Sequence, residues 1–144
     1  MKVSECMTRD VRTVSLDNSL QSAAQIMGEL DCGFLPVARD DRLIGIITDR
    51  DIAVRGVARG LAADAGIETV MSDEVRYCFE DDEADDVLEN MGDIQVRRMP
   101  VVDRNKRLVG VVSISDLAAN GEAPRVGEAL GDIARPTGLH SQRV

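Results

Sequence analysis

Basic residues are in short supply: 17 Lys and Arg stand against 26 Asp and Glu, a formal net charge of −9. Nucleic acid and anionic membrane surfaces require a basic face that neutralises phosphates, so neither is an expected partner. Any anionic ligand must meet a local cationic patch. Histidine is limited to His140, which leaves no cluster of metal-ligating side chains. Cysteine occurs three times, at Cys6, Cys32 and Cys78, widely spaced and without a CxxC pair. That usage fits reduced thiols rather than a disulfide framework. No apolar run approaches the roughly 18 residues of a membrane span. The opening MKVSECMTRD lacks the apolar segment of a secretory signal, so the expectation is a soluble, cytoplasmic protein. The parts of a catalytic site are also missing: no histidine beside a Ser or Cys nucleophile, no Walker lysine after a glycine loop, no metal set to activate water. An enzyme is not expected.

What the 144 residues do contain is an internal repeat. A single offset superposes Met7 on Met71, Val11-Arg12 on Val75-Arg76, Asp17 on Asp81, Met27-Gly28 on Met91-Gly92 and Pro36-Val37 on Pro100-Val101. One extra residue then enters a turn, after which Gly45 matches Gly110, Asp51 matches Asp116 and Gly56 matches Gly121. This divides the chain into a first repeat over 3–60, a linker over 61–66, a second repeat over 67–121 and a tail over 122–144.

Each copy shows the same sequence of periods. A short extended piece (Val11–Val14; Val75–Phe79) precedes an acidic helix start at Asp17 or Asp81. Leu20, Ala23, Ala24 and Met27 follow at helical spacing, repeated as Ala84, Val87, Leu88 and Met91, and both stripes are expected in the core. Two strands come next, Phe34–Ala38 and Leu43–Ile47 around RDDR, with counterparts Met99–Val102 and Leu108–Val112 around DRNKR. A second helix begins near Asp49 or Ile114. The fold class is therefore α+β, two β-α-β-β-α units packed through a pseudo-twofold sheet interface. A unit of about 55 residues buries only about 60% of its unfolded surface and is marginal alone, which explains the pairing. The tail holds a short helix over Val126–Ala134, ended by Pro136.

The chemistry-bearing stretches are GIITDRDI (Gly45–Ile52) and GVVSISDL (Gly110–Leu117). Gly45 and Gly110 suit a close approach to a neighbouring group. Thr48 and Ser113 stand where a strand gives way to a helix, and Asp51 and Asp116 follow one turn later. Two readings compete. Ser/Thr-x-x-Asp before an apolar helix is a capping box that binds nothing. Alternatively the hydroxyl contacts a phosphate and the carboxylate accepts from both hydroxyls of a ribose. Methionines 7, 27, 71 and 91 are expected as core fillers. The acidic run EDDEADD (Glu80–Asp86) lacks calcium-loop spacing, so no metal is expected.

In order, Met7-Thr8, Val11-Arg12-Thr13-Val14, Ala23-Ala24, Met27, Phe34-Leu35-Pro36-Val37 and GIITDRDI resemble a CBS domain. Met71-Ser72, Val75, Met91, Arg97-Arg98-Met99-Pro100-Val101 and GVVSISDL resemble a second. The resemblance covers residues 3–121 and implies a tandem CBS pair, or Bateman module, similar to bacterial stand-alone two-CBS proteins. Such a pair is a regulatory unit that binds an adenosine-containing ligand (AMP, ADP or ATP) between its repeats and signals by a change of shape or stiffness.

On that resemblance Asp51 and Asp116 hold ribose while Thr48 and Ser113 contact phosphate, with Arg50 nearby. Asp51 shares a site with Arg97, Arg98, Met99 and Pro100, and Asp116 shares one with Cys32, Gly33, Phe34, Leu35 and Pro36. The adenine lies near Val11, Arg12 and Thr13 or near Val75, Arg76 and Tyr77. The arginines make the Asp51 site the tighter one for a phosphorylated ligand. A homodimer is implied, and an unidentified protein is the target of the signal. The alternative in another class is a structural or stress-response interaction module that has lost nucleotide binding.

Overall fold

A computed structural model describes residues 1–120 and 123–135. Gly121, Pro136 and His140, named above, lie outside the described residues. The chain divides into two units, each built on one repeat but each taking the lead-in segment of the other.

The first-repeat unit comprises Asp10–Arg76 and Arg104–Leu108. Helix α1 spans Leu20–Leu30 and so begins three positions after Asp17. The delay has a local cause. Asn18 Oδ1 accepts the Ser15 N–H at 2.9 Å, which closes a turn, and Ser19 Oγ then accepts from Ser22 N–H at 3.1 Å as the helix cap. Asp31, in the left-handed region at φ 52°, ends the helix, and Cys32 N–H reaches back to Met27 O at 3.0 Å.

Strands β1 (Phe34–Arg39) and β2 (Arg42–Thr48) pair antiparallel, with Phe34 opposite Thr48. Asp40 and Asp41 join them, both at positive φ, the turn geometry whose twist matches that of the strands. The expected extended piece Val11–Val14 contributes one parallel bridge, Val14 to Val37. After β2 the chain enters a helical turn that widens into a π-type turn over Asp51–Gly56. The core gathers Val14, Leu20, Ala23, Met27, Leu35, Val37, Ile47, Ile67 and Val70. The start of the second repeat packs here: Ile46 and Ser72 exchange two backbone hydrogen bonds of 2.9 Å. Gly45 faces that contact, where a Cβ would lie 2.9 Å from Ser72 O, so glycine is needed for the approach.

The second-repeat unit comprises Met1–Arg9, Tyr77–Asp103 and the described residues from Val109 onward. Strand β3 (Cys78–Phe79) runs parallel to β4 (Arg98–Val102), and β5 (Leu108–Ser113) completes a three-stranded sheet in the order β3-β4-β5. Helix α2 spans Ala84–Ile94, again three positions after the expected start at Asp81, because Asp82 Oδ2 first accepts the Phe79 N–H at 2.9 Å. The N-terminal segment packs on this unit as the 67–76 segment packs on the other. Thr8 and Val111 exchange two 2.9 Å bonds, and a Cβ on Gly110 would lie 2.7 Å from Thr8 O. Helices α3 (Ile114–Asn120) and α4 (Ala123–Ala134) follow, α4 beginning a turn earlier than expected.

Helix α4 answers to α2. Ala129 is buried, Val126 and Ile133 pack against the same core, and Gly92 permits the approach, since a Cβ there would lie 3.2 Å from Ala129 Cα. Gln95 donates from Nε2 to Asp132 O at 2.9 Å, satisfying a carbonyl at the end of α4. This contact separates the two helical stripes. Leu88 is 1% exposed beneath α4, whereas its counterpart Ala24 is exposed, contrary to the core expectation, because among the described residues α1 has no counterpart of α4 packed along it; the Asp51–Gly56 turn meets it at Leu20. Burial of a leucine side chain is worth about 1.5–3 kcal/mol, so α4 accounts for real stability in this unit. Met27 and Met91 are buried, and Met7 and Met71 pack half-buried against the cores, as expected of fillers.

Candidate functional site

The paired hydroxyl and carboxylate form the same reciprocal cap in both repeats. Thr48 N–H donates to Asp51 Oδ2 at 3.0 Å, and Asp51 N–H donates to Thr48 Oγ1 at 3.1 Å. Ser113 N–H donates to Asp116 Oδ2 at 2.9 Å, and Asp116 N–H donates to Ser113 Oγ at 3.1 Å. The capping reading is thus realised. It does not consume the carboxylate, which offers about four lone-pair sites. Oδ1 of each aspartate accepts no hydrogen bond among the described residues, and both residues are half-buried. Each cap therefore holds its carboxylate in a fixed direction with one oxygen unused.

In the second-repeat unit this cap borders a cavity of about 490 Å³ lined by Arg97, Arg98, Ser113, Ile114, Ser115, Leu130, Ile133 and Ala134. Backbone pairing builds it: Ile114 N–H donates to Arg97 O at 2.8 Å, which brings the entrance of β4 beside the exit of β5. Among the described residues no carboxylate lines it. Neither arginine head group has a hydrogen-bond or ion-pair partner among the described residues, in a chain with an excess of acids. Two arginines and two serines in one lining with Ile114, Leu130, Ile133 and Ala134 suit an anion that carries an apolar body.

The remaining expected residues fall in both units. Arg97 and Arg98 share a unit with Ser113 and Asp116, while Asp51, Thr48 and Arg50 belong to the first-repeat unit. In that unit Asp49 N–H donates to Gly33 O at 3.0 Å, the counterpart of the Ile114–Arg97 contact. A Cβ on Gly33 would meet Asp49 Oδ2 at 2.6 Å, so this corner is closed by an acid where the other carries an arginine. Leu35, Pro36, Met99 and Pro100 are buried in their own units, and Phe34 is half-buried. Val11 and Thr13 are half-buried and Arg12 exposed, as Val75 is half-buried and Arg76 exposed. Tyr77 is 37% exposed and meets Phe79 edge-to-face at 5.7 Å.

Ile114, Ser115, Leu130, Ile133 and Ala134 are not among the expected site residues. The apolar spacing of Leu130 and Ile133 in the tail is the one sign in the sequence, and it does not say what that side of the helix faces. The acidic run Glu80–Asp86 is used in turn and terminus formation. Glu83 binds Lys2 Nζ at 2.7 Å and the N-terminal amine at 3.2 Å, and both hold its carboxyl below the ordinary range. No three His, Cys, Asp or Glu side chains converge as metal ligands among the described residues. Cys78 is buried, and that burial pushes its thiol up to about 12. No helix among the described residues is long and apolar enough to cross a membrane.

Comparison with known proteins places this geometry among relatives. The family model described as the CBS domain matches residues 3–56 and again 67–121. The CBS domain-containing protein YhcV of Bacillus subtilis is 38% identical over 133 residues, 92% of this chain and 94% of its own length. The crystal structure of Hypoxic Response Protein I, which holds two coordinated zinc ions, superposes with a TM-score of 0.76 at 36% identity, covering 84% of this chain and 99% of that one. The CBS domain pair of protein MJ0100, in complex with 5′-methylthioadenosine and S-adenosyl-L-methionine, superposes with a TM-score of 0.74 at 29% identity, covering 83% and 94%.

Proposed function

The chain belongs to the CBS domain family as a tandem pair, and from that premise we propose that it is a cytoplasmic sensor of an adenosine-containing anion, AMP, ADP or ATP. CBS domains act as regulatory rather than catalytic units, so the output is a change in the surface shown to a partner. The observation that carries the reading is the cavity beside the Ser113–Asp116 cap, which among the described residues has no acid in its lining and holds two arginines without a side-chain partner. The MJ0100 pair, which carries adenosyl ligands, supports the adenosine part of the assignment. The arginines point to phosphate, which neither of those two ligands contains.

In this reading Arg97, Arg98 and Ser113 receive the phosphate, and the unused Oδ1 of Asp116 accepts from the ribose hydroxyls. Thr48 and Asp51 do the same in a second site, with Arg50 nearby. Signalling requires that the ligand favour one shape over another, since equal affinity for both shifts nothing. A homodimer of pairs supplies a surface on which such a shift is read.

The test is calorimetric titration of the full chain with AMP, ADP, ATP, 5′-methylthioadenosine and S-adenosylmethionine. Saturation at 100 times Kd raises stability by about 2.7 kcal/mol, which thermal unfolding reads independently. The double variant Arg97→Ala/Arg98→Ala is expected to lose affinity for AMP at least about tenfold and to leave uncharged methylthioadenosine unchanged. Absence of binding by every one of these compounds would turn the assignment to a protein-interaction module without a nucleotide.

A further inference from the structure

The cavity beside Arg97 and Arg98 has a wall that the two repeats do not supply. Leu130, Ile133 and Ala134 of α4 line it, and all three lie beyond residue 121, where the match to the CBS domain ends. Helix α4 divides its apolar surface between two tasks. Val126, Ala129 and Ile133 pack against the core over α2, with Ala129 buried. Leu130 points to the cavity and is 46% exposed. A large aliphatic side chain left half in water, in the same cavity as two arginines without carboxylate partners among the described residues, lacks only an apolar body to cover it.

We propose that α4 is part of the binding site: Leu130 and Ile133 form the apolar wall against the flat body of an anionic ligand whose charge lies on Arg97 and Arg98. The ligand class is an anion joined to a planar apolar ring system, of which a nucleoside monophosphate is one example. The inference deepens the nucleotide reading and rests on it for the identity of that ring. Two consequences follow. The tail sets specificity, because all of the apolar lining except Ile114 lies beyond the family match. The tail also reports occupancy, because a ligand that touches Leu130 while bound to Arg97 ties α4 to the sheet, and its docking and ligand binding favour each other.

The test compares the full-length chain with Leu130→Asp, Leu130→Met and Arg97→Ala/Arg98→Ala. AMP is titrated by calorimetry. Anilinonaphthalene sulfonate, an anion on a flat apolar body without ribose or adenine, is titrated by fluorescence. Leu130→Asp is expected to weaken both probes by about tenfold or more, with the unfolding midpoint within about 2 °C of wild type, because the side chain is half exposed. Leu130→Met is expected to stay within about threefold. Wild-type affinity of Leu130→Asp for both probes, or no binding of either probe to wild type, overturns the proposal. AMP binding that depends on the arginines but not on Leu130 overturns the α4 wall and leaves the nucleotide reading in place. Dye binding that depends on Leu130 and the arginines, with no AMP binding, supports the wall and removes the nucleotide reading.

Discussion

Gly28 and Gly92 occupy equivalent positions of α1 and α2, and alanine is expected to stabilise at the first and not at the second. In a helix interior alanine is favoured over glycine by about 0.8–1.0 kcal/mol. At Gly28 a new Cβ meets nothing within 4 Å, so the whole gain is realised. At Gly92 the Cβ would lie 3.2 Å from Ala129 Cα and 3.2 Å from Asp132 Oδ2. The carboxylate can swing aside, but the backbone of α4 cannot, and the helix must retreat from α2. Overpacking of this kind costs about 1–3 kcal/mol, which equals or exceeds the propensity gain. Gly28→Ala is therefore expected to stabilise by about 1 kcal/mol, and Gly92→Ala to be neutral or destabilising by up to about 2 kcal/mol. The chain has no tryptophan, so far-UV circular dichroism during urea unfolding is the suitable assay, with a midpoint shift unaccompanied by a change in m as the sign of a stability effect. Equal stabilisation by both alanines would refute the packing of α4 on α2, and with it the explanation of why Leu88 is buried while Ala24 is not.

Other perturbations test other links. Gly110→Ala places a Cβ 2.7 Å from Thr8 O and Gly45→Ala places one 2.9 Å from Ser72 O. Each is expected to destabilise by about 1–3 kcal/mol by parting a doubly hydrogen-bonded bridge, whereas Gly66→Ala, with open space around it, is expected to be harmless by thermal unfolding. Asp116→Asn keeps an acceptor for the Ser113 amide, so it is expected to cost well under the roughly 1 kcal/mol of Asp116→Ala while weakening AMP about as much as the alanine does; a proportional loss of cap and ligand would refute the division of labour between Oδ2 and Oδ1. Cys78, with its thiol pushed up to about 12 by burial, binds its proton more tightly folded than unfolded. Its contribution is complete below the unfolded value near 8.5 and is lost as pH rises toward 12, at up to about 1.4 kcal/mol per pH unit. Wild type is accordingly expected to lose melting temperature more steeply than Cys78→Ala between pH 9 and pH 11, and parallel slopes would contradict it.

The parts legible in the sequence were those set by local period. Strands β1, β2, β4 and β5 lie within a residue or two of their expected bounds, because apolar runs flanked by RDDR and DRNKR leave little choice. The glycines at 45 and 110 stand where a close approach was expected, although which backbone approaches was not readable. The helix starts at Leu20 and Ala84 came later than expected because Asn18 and Asp82 spend their side chains on closing turns, a competition that composition does not reveal. The exchange of lead-in segments, Thr8 with Val111 and Ser72 with Ile46, is a long-range pairing with no local signature. The arginine cavity depends on one such pairing, Ile114 with Arg97, and on a tail helix whose apolar side reads the same whether it faces a core or a ligand.

In the proposed function the cavity of the second-repeat unit receives the charged end of an adenine nucleotide. A crystal structure of the full chain grown with AMP tests it most directly. The expected result is phosphate oxygens within hydrogen-bond distance of Arg97 or Arg98 and of Ser113, a ribose hydroxyl on Asp116 Oδ1, and Leu130 covered by the ring. AMP bound elsewhere, with both arginines still in solvent and the two aspartates engaged only with their own caps, would contradict it.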